Sequence, residues 1–288
     1  MGKWNFQYIT NKTAKFGLAG ALGAGIAEVI SEAVPQQIVS IPFWGILGHV
    51  AIWAGIIGIG TAIALQIAQN CYLRKPVLSL SMLKTAFFGG IIGGFVGGLA
   101  QVVFAFTQGI SESVEIISRI LCWGIFGFGL GWSVSYFIPN FPKKRALLAG
   151  LLGGIVGGAV FRFSFEILPE TYGRIIGVAI LGFFIGLVIS FVEEVLREAW
   201  LTVVWGKNES TSVALGTKEI ILGSSPKADI YLPVEKNYPP ITAIIGLKNN
   251  IVFFDNKIDN KRIELRNGSR ITMGAVEVIV NLKTEKSN

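Results

Sequence analysis

The chain has 288 residues, of which 52% are hydrophobic and 15% charged, with a net charge of +7. Soluble domains carry about 25% charged residues, so a single soluble globule is excluded. The basic residues flank hydrophobic segments and are not gathered with aromatics on one module, which argues against nucleic acid as a partner.

Two regimes divide the sequence. Between Ala14 and Val192 charges fall in short clusters, whereas from Glu193 onward they recur every few residues, as on a solvated surface. Residues 1–13, with Trp4, Phe6 and Tyr8, read as a cytosolic lead-in to a retained helix and not as a removed signal. Six segments then approach the ~20 apolar residues that cross a bilayer. They are Ala14 to Val34, Gly45 to Ala68, Thr85 to Phe106, Ile120 to Ile138, Ala146 to Phe163 and Ile175 to Val192. The fifth is short and holds Arg162, which must snorkel to an interface. Cys71 and Cys122 lie in or beside these segments with no CxxC or CxxH context, so neither a disulfide framework nor a zinc site is expected.

Charge sets the expected orientation. Lys3, Lys12 and Lys15 precede the first span, and Arg74, Lys75 and Lys84 separate the second from the third. Lys143, Lys144 and Arg145 separate the fourth from the fifth, and Arg197 follows the sixth. The opposite connections carry Glu28, Glu32, Glu112, Glu115, Glu166 and Glu170. Lys and Arg in short loops stay inside, so both termini are expected in the cytosol, in a bacterial inner membrane.

The membrane region also repeats. The segments Ala86 to Gly98 and Ala146 to Gly158 match without a gap, and Phe16 to Gly25 is a weaker copy. Arg119, Gly127, Gly131 and Ser135 recur at the spacing of Arg174, Gly182, Gly186 and Ser190. The expected unit is a helical hairpin present three times, over about 14–73, 84–142 and 143–192, related by an axis along the membrane normal. Gly89, Gly93 and Gly97, with Gly150, Gly154 and Gly158, are the expected helix-packing glycines, because small residues four apart let backbones approach in lipid. A narrow path lined by glycine backbone is the sharper alternative.

Residues 193–200 continue the sixth span as an expected amphipathic helix. Periodicity then switches to alternation, with nine short strands from Leu201 to Asn281 bounded by Gly, Pro, Asn and Lys turns, which implies a β-sandwich over 201–282 before a polar tail at 283–288. Ile221-Leu-Gly-Ser-Ser-Pro-Lys-Ala-Asp-Ile-Tyr-Leu-Pro233 resembles the opening signature of forkhead-associated (FHA) domains. Leu265-Arg-Asn-Gly-Ser-Arg-Ile-Thr-Met-Gly274 with Ala275 to Val280 resembles their closing strands. The resemblance implies a sandwich whose end loops bind phosphothreonine peptides. Where that family has an arginine after the strand-ending glycine this chain has Ser224, and the positions of its next serine and histidine fall near Pro239 and Thr242. The candidate partner-binding loop is therefore Ser224, Ser225, Lys227 and Thr242, with its usual phosphate site eroded.

The expected fold class is thus an α-helical membrane bundle of six transmembrane helices, as three repeated hairpins, plus a cytosolic all-β sandwich of FHA-like type. No catalytic constellation, metal set or cofactor motif is present in the sequence. The expected partners are the lipid bilayer and a cytosolic protein held by the FHA-like domain, with oligomerisation in the membrane left open. The expected role is a scaffold or signalling adaptor. The alternative is a channel or small-solute transporter with a pseudo-threefold path.

Overall fold

The computed structural model describes residues 6–33, 42–77, 80–206, 209–232, 237–248, 251–274 and 276–283. Of the positions used above, Lys3, Trp4, Val34, Pro233, Ala275 and the tail from 284 lie outside them. Six helices come first: α1 Phe6–Glu32, α2 Phe43–Tyr72, α3 Leu80–Thr107, α4 Glu112–Val134, α5 Lys143–Ile167 and α6 Glu170–Val195. Each is long and apolar enough to cross a membrane. Local chemistry sets their ends. Ser111 caps α4, its hydroxyl accepting from Val114 N at 3.3 Å, and Glu112 and Glu115 follow in the first turn, where the helix dipole favours them. The helix α5 starts after Pro142 and stops at Leu168, the residue before Pro169, where proline disfavours helical backbone.

The chain forms two compact units. Unit 1 is the helical bundle, and its crossings are built on glycine. A Cβ at Gly58 would sit under 3.0 Å from Gly89 O, one at Gly127 under 3.0 Å from Gly150 O, and one at Gly20 under 3.0 Å from Gly182 O. One turn along, Gly93 meets Ala54 O, Gly131 meets Ala146 O and Gly186 meets Phe16 O in the same way. These contacts join α2 to α3, α4 to α5 and α6 back to α1. Gly23 on Gly60 of α2, Gly129 on Ile92 of α3 and Gly153 on Ile185 of α6 join the remaining neighbours, so the six helices close into a ring.

The ungapped sequence match pairs Gly90 with Gly150, but the crossings pair Gly89 with Gly150. Gly90 instead faces the Ile59 side chain. The outward rows keep the crossing register: Leu18, Leu22 and Ile26 on α1, Phe87, Ile91 and Phe95 on α3, and Leu148, Leu152 and Val156 on α5 are all exposed. The buried rows of the even helices keep it too. They are Ile57, Thr61 and Leu65 on α2, Phe126, Leu130 and Val134 on α4, and Leu181, Ile185 and Ile189 on α6.

Two ion pairs tie α1 to α6. Lys12 and Glu193 are a buried pair, with Thr13 donating to Glu194 at 3.3 Å beside it. Further along, Arg174 Nη2 donates to Glu32 Oε2 at 3.0 Å, while its Nε lies 2.9 Å from Oε1 as an ion contact without hydrogen-bond alignment.

Among the described residues, unit 2 is a sandwich of nine strands: β1 Ala199–Gly206, β2 Glu209–Leu215, β3 Ile220–Gly223, β4 Ile230–Tyr231, β5 Ala243–Lys248, β6 Ile251–Asn256, β7 Lys261–Leu265, β8 Arg270–Met273 and β9 Val276–Leu282. One sheet has the order β2-β1-β9-β8 and the other β4-β3-β5-β6-β7. All pairs are antiparallel except β3 with β4. Alternation places Ala199, Leu201 and Val203 of β1 opposite Leu282, Val280 and Val278 of β9, and the core forms between the two sheets.

The expected amphipathic helix over 193–200 does not form as such. Helix α6 stops at Val195, and Ala199 and Trp200 already pair with Leu215 and Ala214 of β2. Ladder bonds to both β2 and β9 outweigh the helical periodicity of this stretch. The boundaries also differ, because unit 2 contains residues 70–77 and 138–141 as well as 195–288.

A Gly150→Ala change drives a methyl into Gly127 O and should lower the unfolding temperature of the detergent-solubilised chain by several degrees, about 1–3 kcal/mol for an overpacked contact. Gly48→Ala, where a Cβ meets nothing within 4 Å, should leave it unchanged or raise it.

Candidate functional site

The residues of the predicted loop come together at one end of the sandwich, where β3 runs out beside the segment leading into β5. Ser224 N donates to Pro239 O at 3.0 Å, Ser225 N to Pro240 O at 3.2 Å, and the Ser224 hydroxyl to Tyr238 O at 2.8 Å. Thr242 is buried, its N–H donating to Leu222 O at 2.8 Å and its hydroxyl to Pro239 O at 3.3 Å. Gly223 has no room for a side chain because Pro240 lies against it. Tyr238 closes the far side, its hydroxyl donating to Met273 O at 2.9 Å next to Gly274, whose φ is +57°.

Two of the four candidates therefore spend their hydroxyls on backbone carbonyls. Ser225 accepts from Lys227 N at 3.2 Å, shaping the turn, and Lys227 is exposed with its ammonium at the surface. A phosphate dianion needs several charge-assisted donors converging on it, and in this loop the serine and threonine donors hold the loop together. The packing glycines lie where the ring closes: Gly89, Gly93 and Gly97 face α2, while Gly150, Gly154 and Gly158 face α4.

A second constellation in unit 2 joins residues far apart in sequence. Leu73, 1% exposed, belongs to the hydrophobic core of the sandwich with Leu201, Val213 and Leu215. Tyr72 accepts at its hydroxyl from Ser212 N (2.8 Å) and at its carbonyl from the Thr211 hydroxyl (3.3 Å), and Thr211 in turn accepts from Trp205 Nε1 at 2.9 Å. Arg74 pairs with Glu209 and lies over the Trp205 ring, 4.7 Å from its centroid. Asn140, at φ +54°, clamps the turn after β2. Its amide donates to Ala214 O (3.1 Å) and Lys218 O (2.9 Å), and its oxygen accepts from Lys218 N (3.0 Å).

Sequence reasoning missed this set because side chains 74 to 140 residues from their partners leave no periodic trace. The available signal was Pro139-Asn140-Phe141-Pro142, a turn-forming residue held between prolines with a bulky apolar neighbour. Lys75 is half-buried in the same unit. Burial pushes its pKa below the ordinary 10.5, with Asp229 opposing the shift and Lys218 adding to it.

No family model matches the chain, and no curated protein matches it. A solved structure described by the words "phosphothreonine-dependent FHA domain interactions" is similar at 17% identity, covering 29% of this chain and 96% of that one, with a TM-score of 0.25.

Asn140→Gly keeps the left-handed backbone accessible but removes the clamp. Loss of its bonds, about 0.5–1.5 kcal/mol each, should speed hydrogen exchange at Lys218 N about ten-fold or more, and unchanged protection would refute the clamp. A base with a lowered folded pKa binds fewer protons folded than unfolded, so its stability contribution is complete above pH 10.5 and is lost as pH falls through the folded value. Lys75→Met should accordingly raise the unfolding temperature at pH 7 and flatten the rise in stability toward pH 10.5, as read in parallel thermal scans.

Proposed function

We propose that this chain is a multi-pass membrane protein in which three copies of one helical hairpin, arranged around a pseudo-threefold axis, carry an FHA-like interaction module on the cytosolic face. The module's role is to hold a protein partner at the membrane as a scaffold or adaptor, through contacts that do not require a phosphate.

The observation that carries this reading is the composition of unit 2. Residues 70–77, the end of α2 and the connection after it, and residues 138–141, between α4 and α5, belong to the β unit, with Leu73 in its core and Asn140 bonded to its backbone. The sandwich thus incorporates chain from both of these connections.

Three further features support it. The exposed rows from Leu18, Phe87 and Leu148 are contiguous apolar surface of the kind lipid covers. The matching crossings at Gly20, Gly89 and Gly150 support the triplication. Lys12, Lys15, Arg74, Lys75, Lys143, Lys144 and Arg145 support a cytosolic position for the loops that enter unit 2. The buried rows of α2, α4 and α6 are almost wholly apolar, and the buried Glu28 carboxylate of α1 accepts from Trp53 Nε1 and the Ser31 hydroxyl, a structural use that favours the scaffold over a transporter.

The test is capture of partners by the full detergent-solubilised chain from lysate, with and without phosphatase treatment. The same partners are expected in both arms. Capture lost on phosphatase treatment would reassign the module to phosphothreonine recognition, and an empty eluate in both arms would sink the interaction reading.

A further inference from the structure

The three crossings differ in charge at one level. Eight residues before Gly182 on α6 is Arg174, and twelve after Gly20 on α1 is Glu32; these two form an ion pair. Eight before Gly58 is Val50 and twelve after Gly89 is Gln101, an uncharged pair of positions. At the α4·α5 crossing the same two positions are Arg119 and Arg162. Where one crossing carries its own anion, this one has two guanidinium groups.

Both line a cavity of about 300 Å³ between α4 and α5, whose walls include Ile116, Ile120, Trp123 and Phe161. Arg162 is answered in part by Glu166 at 2.9 Å on its own helix. Arg119 lies over the Phe104 ring, 4.4 Å from its centroid, and among the described residues no carboxylate forms an ion pair with it. Arg119 directly precedes the apolar run that starts at Ile120, so in the membrane reading it sits near an interface, where a basic pocket between helices suits an anionic head group.

We infer that this cavity binds one anionic phospholipid, its phosphodiester on Arg119 and Arg162 and an acyl chain along Ile116, Ile120 and Phe161. The proposal rests on the membrane and three-hairpin reading above. One phosphodiester balances the single positive charge left by two arginines and Glu166, and its paired oxygens suit the guanidinium fork. The apolar walls select a lipid over free phosphate, which would leave them facing its hydration shell. Exposed Ile117 and Leu121 on α4 and Phe163 on α5 adjoin the lining residues in sequence and present apolar surface for lipid to enter along.

The experiment uses the full chain in nanodiscs of phosphatidylcholine with a minor fraction of phosphatidylglycerol, with retained lipid counted by native mass spectrometry. Wild type should retain phosphatidylglycerol selectively. Arg119→Gln should cut retention about ten-fold, the size of one lost charge-assisted contact. Ile120→Trp, which fills the cavity and keeps both charges, should do the same, and Arg74→Gln should change nothing. Selectivity absent in wild type, retention unchanged in both cavity variants, or displacement of the bound lipid by millimolar inorganic phosphate would overturn the proposal. If Arg119→Gln fails to fold, Ile120→Trp decides alone. Carbonate washing separates the two levels: protein released from membranes overturns the membrane reading itself, whereas protein that stays but retains no phosphatidylglycerol overturns only the lipid site.

Discussion

Backbone-to-backbone approach at glycine governs the helical unit. Water expels apolar side chains, but lipid does not, so helices immersed in it associate through close packing and polar contacts. Removing Cβ atoms at Gly58 and Gly89, at Gly127 and Gly150, and at Gly20 and Gly182 brings main chains into direct contact. Once those crossings are fixed, the rest of each helix follows by the 3.6-residue period. The rows from Leu18, Phe87 and Leu148 turn outward, and those from Ile57, Phe126 and Leu181 turn inward. The same register delivers Arg174 to Glu32 and sets Arg119 and Arg162 on one cavity. Lys12 and Glu193, near the start of α1 and the end of α6, add a buried ionic contact where the ring closes. Burying such a pair is costly unless both charges are answered, which fixes how those two helix ends meet.

The sandwich depends on a different force. Its alternating strands bury Leu201, Val203, Val278 and Val280 by the hydrophobic effect, and each fully buried aliphatic side chain contributes about 1.5–3 kcal/mol. Leu73 makes a contribution of the same kind from outside the strands. The loop end is different again, since the Ser224 and Thr242 hydroxyls donate to the carbonyls of Tyr238 and Pro239. The position that resembles a ligand-binding loop in sequence is used in the fold to fasten two segments to each other.

Much of this was legible in advance, for identifiable reasons. Six long apolar runs and nine alternating ones announce themselves through composition and period, and the strands from Ala199–Gly206 to Val276–Leu282 fall on the expected stretches. The small residues four apart in α3 and α5 could be assigned to packing because few other pressures favour glycine within a helix. The ungapped repeat match is offset by one from the crossings, since a run such as Gly89-Gly90 offers two adjacent faces and only the three-dimensional partner chooses between them. The end of α6 was overrun because Glu193 to Trp200 has helical periodicity, and competition from two neighbouring strands is invisible locally. The hydroxyls of Ser224 and Thr242 could be placed together by resemblance, but not the carbonyls that occupy them. Asn140 and Tyr72 were silent because their partners are defined only after the chain has returned from far away.

The inclusion of Leu73 in the sandwich core bears on how the chain is made. The β-strands are synthesised after the helices, and the residue that completes their interior left the ribosome long before Ala199, on the far side of four more helices. These are contacts of high sequence separation, which form late and slowly. The sandwich core can close only once residues 70–77 and 138–141 have reached the strands. Without them a hole would stand at the Leu73 position and the turn after β2 would lose its Asn140 clamp. A chain in which those residues stay away from the strands would present an exposed apolar socket, of the kind that quality-control proteases engage.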